Sequence, residues 1–237
     1  YRKLMMQTFG AKCNPSPSSL TDFGKKLLEE NPDNPGSLGI AISDAIESVV
    51  KSEGKAKYSL GSVLGHVLMH QTINGNEAIL QMEQAGDYPD IIVGCTGGGS
   101  NLSGLMFPFL GQQLRGGSKI DIIGCEPLSC PSFTKGKYAY DHGDMAKMTP
   151  LIKMHTLGSD FLPPANHSGG LRYHGMSYHL SHLYNLGLMR AKAYGQKECF
   201  EAGVTFGNQE GIIPAPEATH AVKGAMDAAL DCKEKGE

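Results

Sequence analysis

The chain lacks the sequence patterns of disulfide-rich, zinc-binding and membrane-spanning proteins. Its six cysteines are scattered along 237 residues and none forms a Cys-x-x-Cys pair. In a chain of this size, that spacing favours reduced, mostly buried thiols over a disulfide framework or a zinc site. No stretch approaches the ~18 consecutive apolar residues that a membrane-spanning helix needs. We therefore expect a cytoplasmic protein with no membrane contact.

The chain also has little excess of either charge. The formal net charge is -3, so no general electrostatic attraction to nucleic acid or to an anionic membrane is expected. Hydrophobic residues make up 40% of the chain and charged residues 19%, which is typical of a soluble globular protein. The length allows one large domain or two small ones with a sizeable core.

A metal centre is not expected either. His179 and His182 would share one face of a helix, and His174 precedes them. A His-x-x-His pair is a weak signal by itself, and no acidic or thiol ligand accompanies it. We therefore predict no metal ligands.

The first 60 residues predict small helices separated by loops. Ser19 and Asp22 form a capping-box pattern, so a helix is expected from there to Asn31, which precedes a proline. A second helix is expected after Ser37, with apolar residues at helical spacing. Residues 61–84 predict one or two longer helices.

From Asp90 onward the pattern changes to alternating strands and helices. Two short apolar runs, 91–95 and 120–124, flank a predicted helix at Leu102–Arg115. A strand, a helix and a strand within about 35 residues indicate a βαβ unit with parallel strands. Residues 130–175 are rich in glycine, proline and histidine and predict long loops. Further helices are expected at Tyr178–Met189 and Ala218–Lys235.

The sharpest signal is the run Gly97-Gly98-Gly99-Ser100-Asn101 between a strand and a helix. Glycines let main-chain N–H groups approach an anion, and the helix start adds donors and a positive dipole end. No Gly-Lys-Ser/Thr follows, which excludes a Walker A loop, and Leu102 stands where a dinucleotide motif needs its last glycine. The run predicts a phosphate-binding loop, although a βα turn that binds nothing stays open.

Four motifs together resemble the tryptophan synthase beta chains, and two of them, Pro15–Ser43 and Gly169–Met176, are similar to the stand-alone branch of that family. The glycine run is similar to the loop that holds the cofactor phosphate in that family, and Glu210–Ala221 resembles its Glu-Gly-Ile-Ile-Pro-Ala segment nearly residue for residue. All four motifs occur in the family's order across essentially the whole chain.

The resemblance implies an α/β fold of fold type II, a parallel sheet flanked by helices that binds pyridoxal 5'-phosphate. Residues 1–60 would belong to the mobile N-terminal domain, which closes over substrate, and residues 61–237 would form most of the C-terminal domain. The implied reaction is a β-replacement that makes L-tryptophan from L-serine and indole. A homodimer, an alpha chain as partner and a monovalent cation are also implied.

The resemblance assigns roles to few side chains. Glu217 matches the glutamate beside the cofactor ring, with a carboxylate that only favours a helix start as the alternative. Arg172 stands where the main branch carries an aspartate that contacts the serine hydroxyl. The reversed charge makes it a candidate ligand for a substrate carboxylate or phosphate, or a structural partner of an acid.

The family's Schiff-base lysine follows a histidine, and no histidine of this chain is followed by lysine. We therefore expect this lysine to lie outside the chain, which would be an excerpt inactive by itself. Two other interpretations stay open. One is another fold-type-II activity, such as a threonine synthase or a serine dehydratase, and the other is a non-catalytic protein that binds a phosphate ligand or a partner chain.

Overall fold

A computed structural model describes residues 2–236. Within them, eight α-helices and five β-strands follow one another in a mainly alternating order. In chain order the elements are α1 (Arg2–Thr8), α2 (Asp22–Glu30), α3 (Leu38–Lys51), α4 (Gly65–Ala85), β1 (Ile91–Cys95), α5 (Ser100–Leu114), β2 (Asp121–Pro127), β3 (Lys137–His142), β4 (Leu151–Thr156), α6 (Tyr178–Asn185), β5 (Arg190–Tyr194), α7 (Gln196–Glu210) and α8 (Ala218–Lys235), with a 3₁₀ turn at Gly169–Leu171 before α6.

The central sheet has the strand order β1-β2-β5, and both pairings are parallel. The predicted βαβ unit is confirmed, because β1 and β2 flank α5 and pair in register from Ile91–Asp121 to Cys95–Cys125. Sequence reasoning missed β5 and α7. Strand β5 contains polar side chains, among them Arg190, so it lacks the continuous apolar run that predicts the other two strands.

The sheet is covered by helices on both faces, so β1 and β2 are apolar on both sides. On one face, Ile92 and Ile122 pack with Leu102, Met106 and Phe109 of α5. On the other face, a second buried cluster lies under α7 and α8. Its buried members are Ile123, Cys125, Tyr194, Cys199 and Ala228. Four of the six cysteines are buried, and all six are free thiols, as their spacing predicted.

The prediction of long loops over residues 130–175 is wrong in part. Strands β3 and β4 form an antiparallel hairpin there, paired from Lys137–Thr156 to His142–Leu151. Its strands show no clean alternation of apolar and polar residues, because much of the hairpin is half-exposed. Asp144 is fully buried in the connection and stabilises it by accepting bonds from the main-chain N–H groups of Met148 and Thr149.

Several helix boundaries differ from the sequence prediction, and α5 for example spans Ser100–Leu114 instead of Leu102–Arg115. The N-cap of α2 is Thr21, whose hydroxyl accepts from the N–H of Gly24, so the cap lies two residues after Ser19. Helix α6 ends at Asn185 instead of Met189, and the chain turns through Gly187 at a positive φ of 72°. By contrast, Ser37 caps α3, and α8 spans Ala218–Lys235 as predicted.

Helix α3 contacts the connection between β3 and β4. The hydroxyl of Ser43 donates to Asp144 at 2.8 Å, and the N–H of Met145 donates to the carbonyl of Gly39 at 3.3 Å. The division into domains at residue 60 stays a prediction. Within residues 2–236, no helix combines the length and hydropathy needed to cross a membrane.

Candidate anion-binding site

The glycine loop lies at the carboxyl end of β1, where it connects the sheet to α5. Thr96 closes the strand by donating its N–H and its hydroxyl to the carbonyl of Cys125, at 2.8 and 3.2 Å. Gly99 then adopts a left-handed φ of 97° as the N-cap of α5. This conformation favours glycine and turns the chain sharply into the helix.

The main-chain N–H groups of the loop are available to a ligand. The first helical bond of α5 runs from the N–H of Ser103 to the carbonyl of Gly99, at 3.0 Å. The main-chain N–H groups of residues 97–102 donate no hydrogen bond to any of the described residues. Residues 97–100 are nevertheless buried. Buried N–H groups without partners are costly, so this row of donors at a helix start fits an anion such as phosphate.

The glycines of the loop pack closely against other parts of the protein. A Cβ at Gly98 would lie 2.6 Å from Cγ1 of Val63 and 2.7 Å from Oγ of Ser62. A Cβ at Gly99 would lie 2.8 Å from Sδ of Met176. The three-glycine run is therefore required by close packing.

The two polar side chains of the loop, Ser100 and Asn101, differ in their hydrogen bonding. Ser100 is 7% exposed, and its hydroxyl makes no hydrogen bond to the described residues, so it can supply a further donor to an anion. Asn101 donates its side-chain amide to the thiol of Cys95 at 3.5 Å. Its main-chain N–H still lies in the first turn of α5, beside that of Ser100.

Glu217 is brought to the same region from the other end of the chain. It is the N-cap of α8, and its side chain is 17% exposed. Oε1 accepts a hydrogen bond from the N–H of Gly170 at 3.0 Å, and Oε2 lies 3.5 Å from Nη2 of Arg2. Burial opposes ionisation, but this hydrogen bond and Arg2 outweigh it and hold the pKa of Glu217 below its usual value. The carboxylate is therefore ionised at neutral pH.

Gly170 connects the glycine loop with Glu217. Its N–H serves the carboxylate, and its carbonyl oxygen packs so closely against Gly97 that a Cβ there would overlap it. Gly170 belongs to one of the family-like motifs, but the sequence gives it no role. Its contribution depends on main-chain atoms, which residue identity does not reveal, although the neighbouring Gly169-Gly170 pair marks a tight turn.

Arg172 follows this turn and makes no hydrogen bond to the glycine loop. Its guanidinium donates to three main-chain carbonyls, those of Gly36, Pro163 and Pro164. No acid pairs with it among residues 2–236. A role for Arg172 in substrate binding stays a prediction.

An apolar cavity of about 280 Å³ lies beside the glycine loop, between α3, the β3–β4 hairpin and residues 58–64. Val63 and Ser177 line it and also contact the loop, since Ser177 donates its N–H to the carbonyl of Gly98 at 3.0 Å. The hydroxyl of Tyr58 is buried at the wall with no partner among the described residues. Sequence reasoning missed this cavity because its lining comes from distant segments.

Fold and geometry together define an α/β protein with a candidate site for a phosphate-type anion at the carboxyl end of a parallel sheet. The sequence model of the family described as "Pyridoxal-phosphate dependent enzyme" matches residues 1–237, and the chain belongs to this family. The fold class expected from the sequence is thereby confirmed, and pyridoxal phosphate is the family's cofactor.

Two of the most similar relatives carry the name tryptophan synthase beta chain 2. The one from Aquifex aeolicus (strain VF5) is 57% identical over 100% of this chain and 55% of its own length. The one from Aeropyrum pernix is 54% identical over 100% of this chain and 53% of its own length. The chain therefore spans about half the length of the curated relatives it matches.

Among solved structures, a threonine deaminase from T.th. is similar in fold. It superposes with a TM-score of 0.58 over 77% of this chain and 59% of its own, at 14% sequence identity. At this identity the likeness concerns the fold alone. It agrees with a parallel sheet covered by helices.

Proposed function

We propose that these residues belong to a tryptophan synthase beta chain, a carbon–oxygen lyase that makes L-tryptophan from L-serine and indole. The observation that carries the proposal is the row of N–H groups at Gly97–Asn101, buried at 97–100, beside an ionised Glu217, in a chain whose relatives bear that name. The term full-length protein denotes a polypeptide that carries residues 1–237 together with the family's cofactor lysine.

The residues of the loop fit the phosphate of pyridoxal phosphate. The N–H groups of Gly97–Asn101 and the hydroxyl of Ser100 would hold it, and the start of α5 supplies a favourable dipole. When bound, the cofactor withdraws electrons from an amino-acid substrate, which allows a group on the β-carbon to be replaced. The loop fixes the anionic end of the cofactor so that its reactive end keeps one orientation.

Glu217 supplies a fixed negative charge near the loop. Because its pKa is lowered and its position is held by Gly170, the carboxylate keeps its charge and its direction at neutral pH. We propose that it lies beside the cofactor ring and favours a proton on the ring's oxygen side. A fixed charge in a partly dehydrated cleft acts more strongly than one in water. The adjacent apolar cavity would help to exclude water.

We further propose that the protein works as a homodimer in the cytoplasm. An alpha chain as partner and a monovalent cation as a second cofactor belong to the same proposal, and they rest on the family resemblance alone. A substrate contact by Arg172, which the resemblance suggested, would appear as a raised KM for serine at normal kcat when Arg172 is replaced. Analytical ultracentrifugation of the full-length protein tests the dimer, and a monomer at micromolar concentration would contradict it.

A fold-type-II dehydratase is the second candidate, because a threonine deaminase shares the fold. The two functions differ in their products. The full-length protein should form tryptophan from serine and indole, with little 2-oxobutyrate from threonine. Release of 2-oxobutyrate without tryptophan would favour the dehydratase, and absence of both products with phosphate binding retained would favour a non-catalytic binding protein.

A further inference from the structure

The guanidinium of Arg172 binds main-chain carbonyls from two separate loops. Nη2 donates to the carbonyl of Gly36 at 2.9 Å and to that of Pro163 at 2.7 Å, while Nε donates to Pro164 at 3.1 Å. Gly36 precedes the N-cap of α3, and the two prolines lie in the segment between β4 and α6. One side chain therefore holds two loops that are far apart in sequence.

The chemistry of this contact requires arginine. A planar guanidinium presents several N–H groups in a fixed fork, so it can serve three acceptors in different directions at once. A lysine ammonium is a compact charge on a flexible stem and could reach only part of this set. Because all three acceptors are neutral carbonyls, the contact is a charge-assisted set of hydrogen bonds without an ion pair.

Arg172 is also joined by the main chain to the candidate site. It directly follows the 3₁₀ turn Gly169–Leu171, whose residue Gly170 donates to Glu217 and packs on Gly97. The carbonyl of Arg172 accepts from the N–H of Leu38, the first residue of α3, at 3.5 Å. A change at Arg172 is therefore two residues from the hydrogen bond that fixes Glu217.

We propose that Arg172 is a positioning residue that ties the start of α3 to the turn carrying Gly170, and thereby keeps Glu217 in place. The site it serves is that of the proposed function, so its catalytic consequence rests on that function. Its role in holding the start of α3 against the turn does not depend on that function. Because α3 precedes residue 60, the contact also couples the segment predicted to close over substrate with the glycine loop.

The structural part is tested by amide hydrogen exchange in the full-length protein. Arg172→Lys and Arg172→Met should both raise exchange in peptides covering residues 168–172, roughly tenfold, because loss of charge-assisted hydrogen bonds frees the turn. Arg115→Lys is the matched control, since Arg115 is exposed at the end of α5 and makes no contact with the turn. Unchanged exchange in both Arg172 variants would overturn the proposal.

The catalytic part is tested by a double-mutant cycle with Glu217→Gln. If Arg172 acts through Glu217, Arg172→Lys should lower kcat roughly tenfold alone and have little further effect in the Glu217→Gln background. KM for serine should change less than about twofold. Full additivity of the two substitutions would overturn the proposal, as would a raised KM with normal kcat, which is the behaviour of a substrate ligand.

Arg172→Lys keeps the positive charge and the aliphatic stem, so it carries the test if circular dichroism shows that Arg172→Met does not fold. Exchange at residues 168–172 does not depend on turnover. A protein that forms no tryptophan but still shows faster exchange in the variants would therefore refute the proposed function and leave the positioning role supported.

Discussion

Glu217 and Gly170 are 47 residues apart in sequence, yet the carboxylate accepts the N–H of Gly170 at 3.0 Å. Because the carbonyl side of Gly170 packs on Gly97, this single bond places the start of α8 beside the glycine loop at the start of α5. The negative charge of Glu217 and the row of N–H groups in the loop are thus held at a fixed separation. A substitution in the glycine loop should therefore weaken cofactor binding, whereas a substitution at Glu217 should lower the rate of the reaction.

Replacing Gly98 with valine should weaken binding of pyridoxal phosphate to the full-length protein strongly, on the order of 10²-fold. The new side chain would meet Val63 and Ser62 and push the loop out of register with its ligand. Equilibrium dialysis of the cofactor measures the effect. Gly61→Ala is the control, because nothing lies within 4 Å of a Cβ there. Unchanged affinity in the valine variant would remove Gly98 from the site.

Glu217→Gln should keep the fold and the cofactor but lower the rate of tryptophan formation on the order of 10²-fold or more. The reason is the loss of a fixed charge that Gly170 orients. A carboxylate that only favours the helix start would instead cost ~0.3–1 kcal/mol of stability and leave turnover nearly normal. Tryptophan formation and the melting temperature together distinguish the two, with the exposed Glu210→Gln as a matched control.

Purified residues 1–237 alone should not catalyse the reaction of serine with indole. The chain contains no His-Lys dipeptide, so we expect the cofactor lysine that the resemblance implies to lie outside these residues. Incubation with pyridoxal phosphate should give no lysine-bound absorbance band at the edge of the visible range. Mass spectrometry after borohydride reduction checks this, and a pyridoxyl group found on a specific lysine of this chain would contradict the prediction.

His155 should make stability depend on pH. It is 8% exposed among the rings of Phe133, Tyr138 and Tyr184, with Lys153 over the ring of Tyr138. Burial lowers the pKa of His155 below its usual 6.5, although a main-chain contact with Gly136 opposes the shift. The unfolded state then binds the proton more readily, so the free energy of unfolding falls as the pH drops below about 6.5.

Urea unfolding at about pH 7.5 and about pH 5.5, on either side of the unperturbed histidine pKa, measures this contribution. Because other histidines also have lowered pKa values, the informative quantity is the difference between variants. His155→Phe should reduce the loss of stability on acidification, whereas exposed His66→Gln should leave it unchanged. An identical loss in the wild type and in His155→Phe would show that His155 is protonated equally in both states.

The sequence by itself determined the local elements that depend on short-range patterns. The apolar run 91–95, the three glycines and the helix at Ala218–Lys235 are each specified by neighbouring residues, and the structure has them where they were predicted. The same holds for the geometry of the glycine loop, because a strand, glycines and a helix start dictate free N–H groups. The glycine loop's role with the cofactor stays a prediction.

Tertiary structure alone decided which distant residues meet. No local pattern places Gly170 between Gly97 and Glu217, since the contacts are made by main-chain atoms whose position depends on how the sheet and α8 pack. The β3–β4 hairpin and strand β5 were missed for a related reason. Many of their residues are half-exposed or polar, so pairing with a neighbouring strand, not hydrophobic periodicity, makes them strands. Arg172 shows the same limit, because its charge suggested an anionic partner whereas the fold offers it three carbonyls.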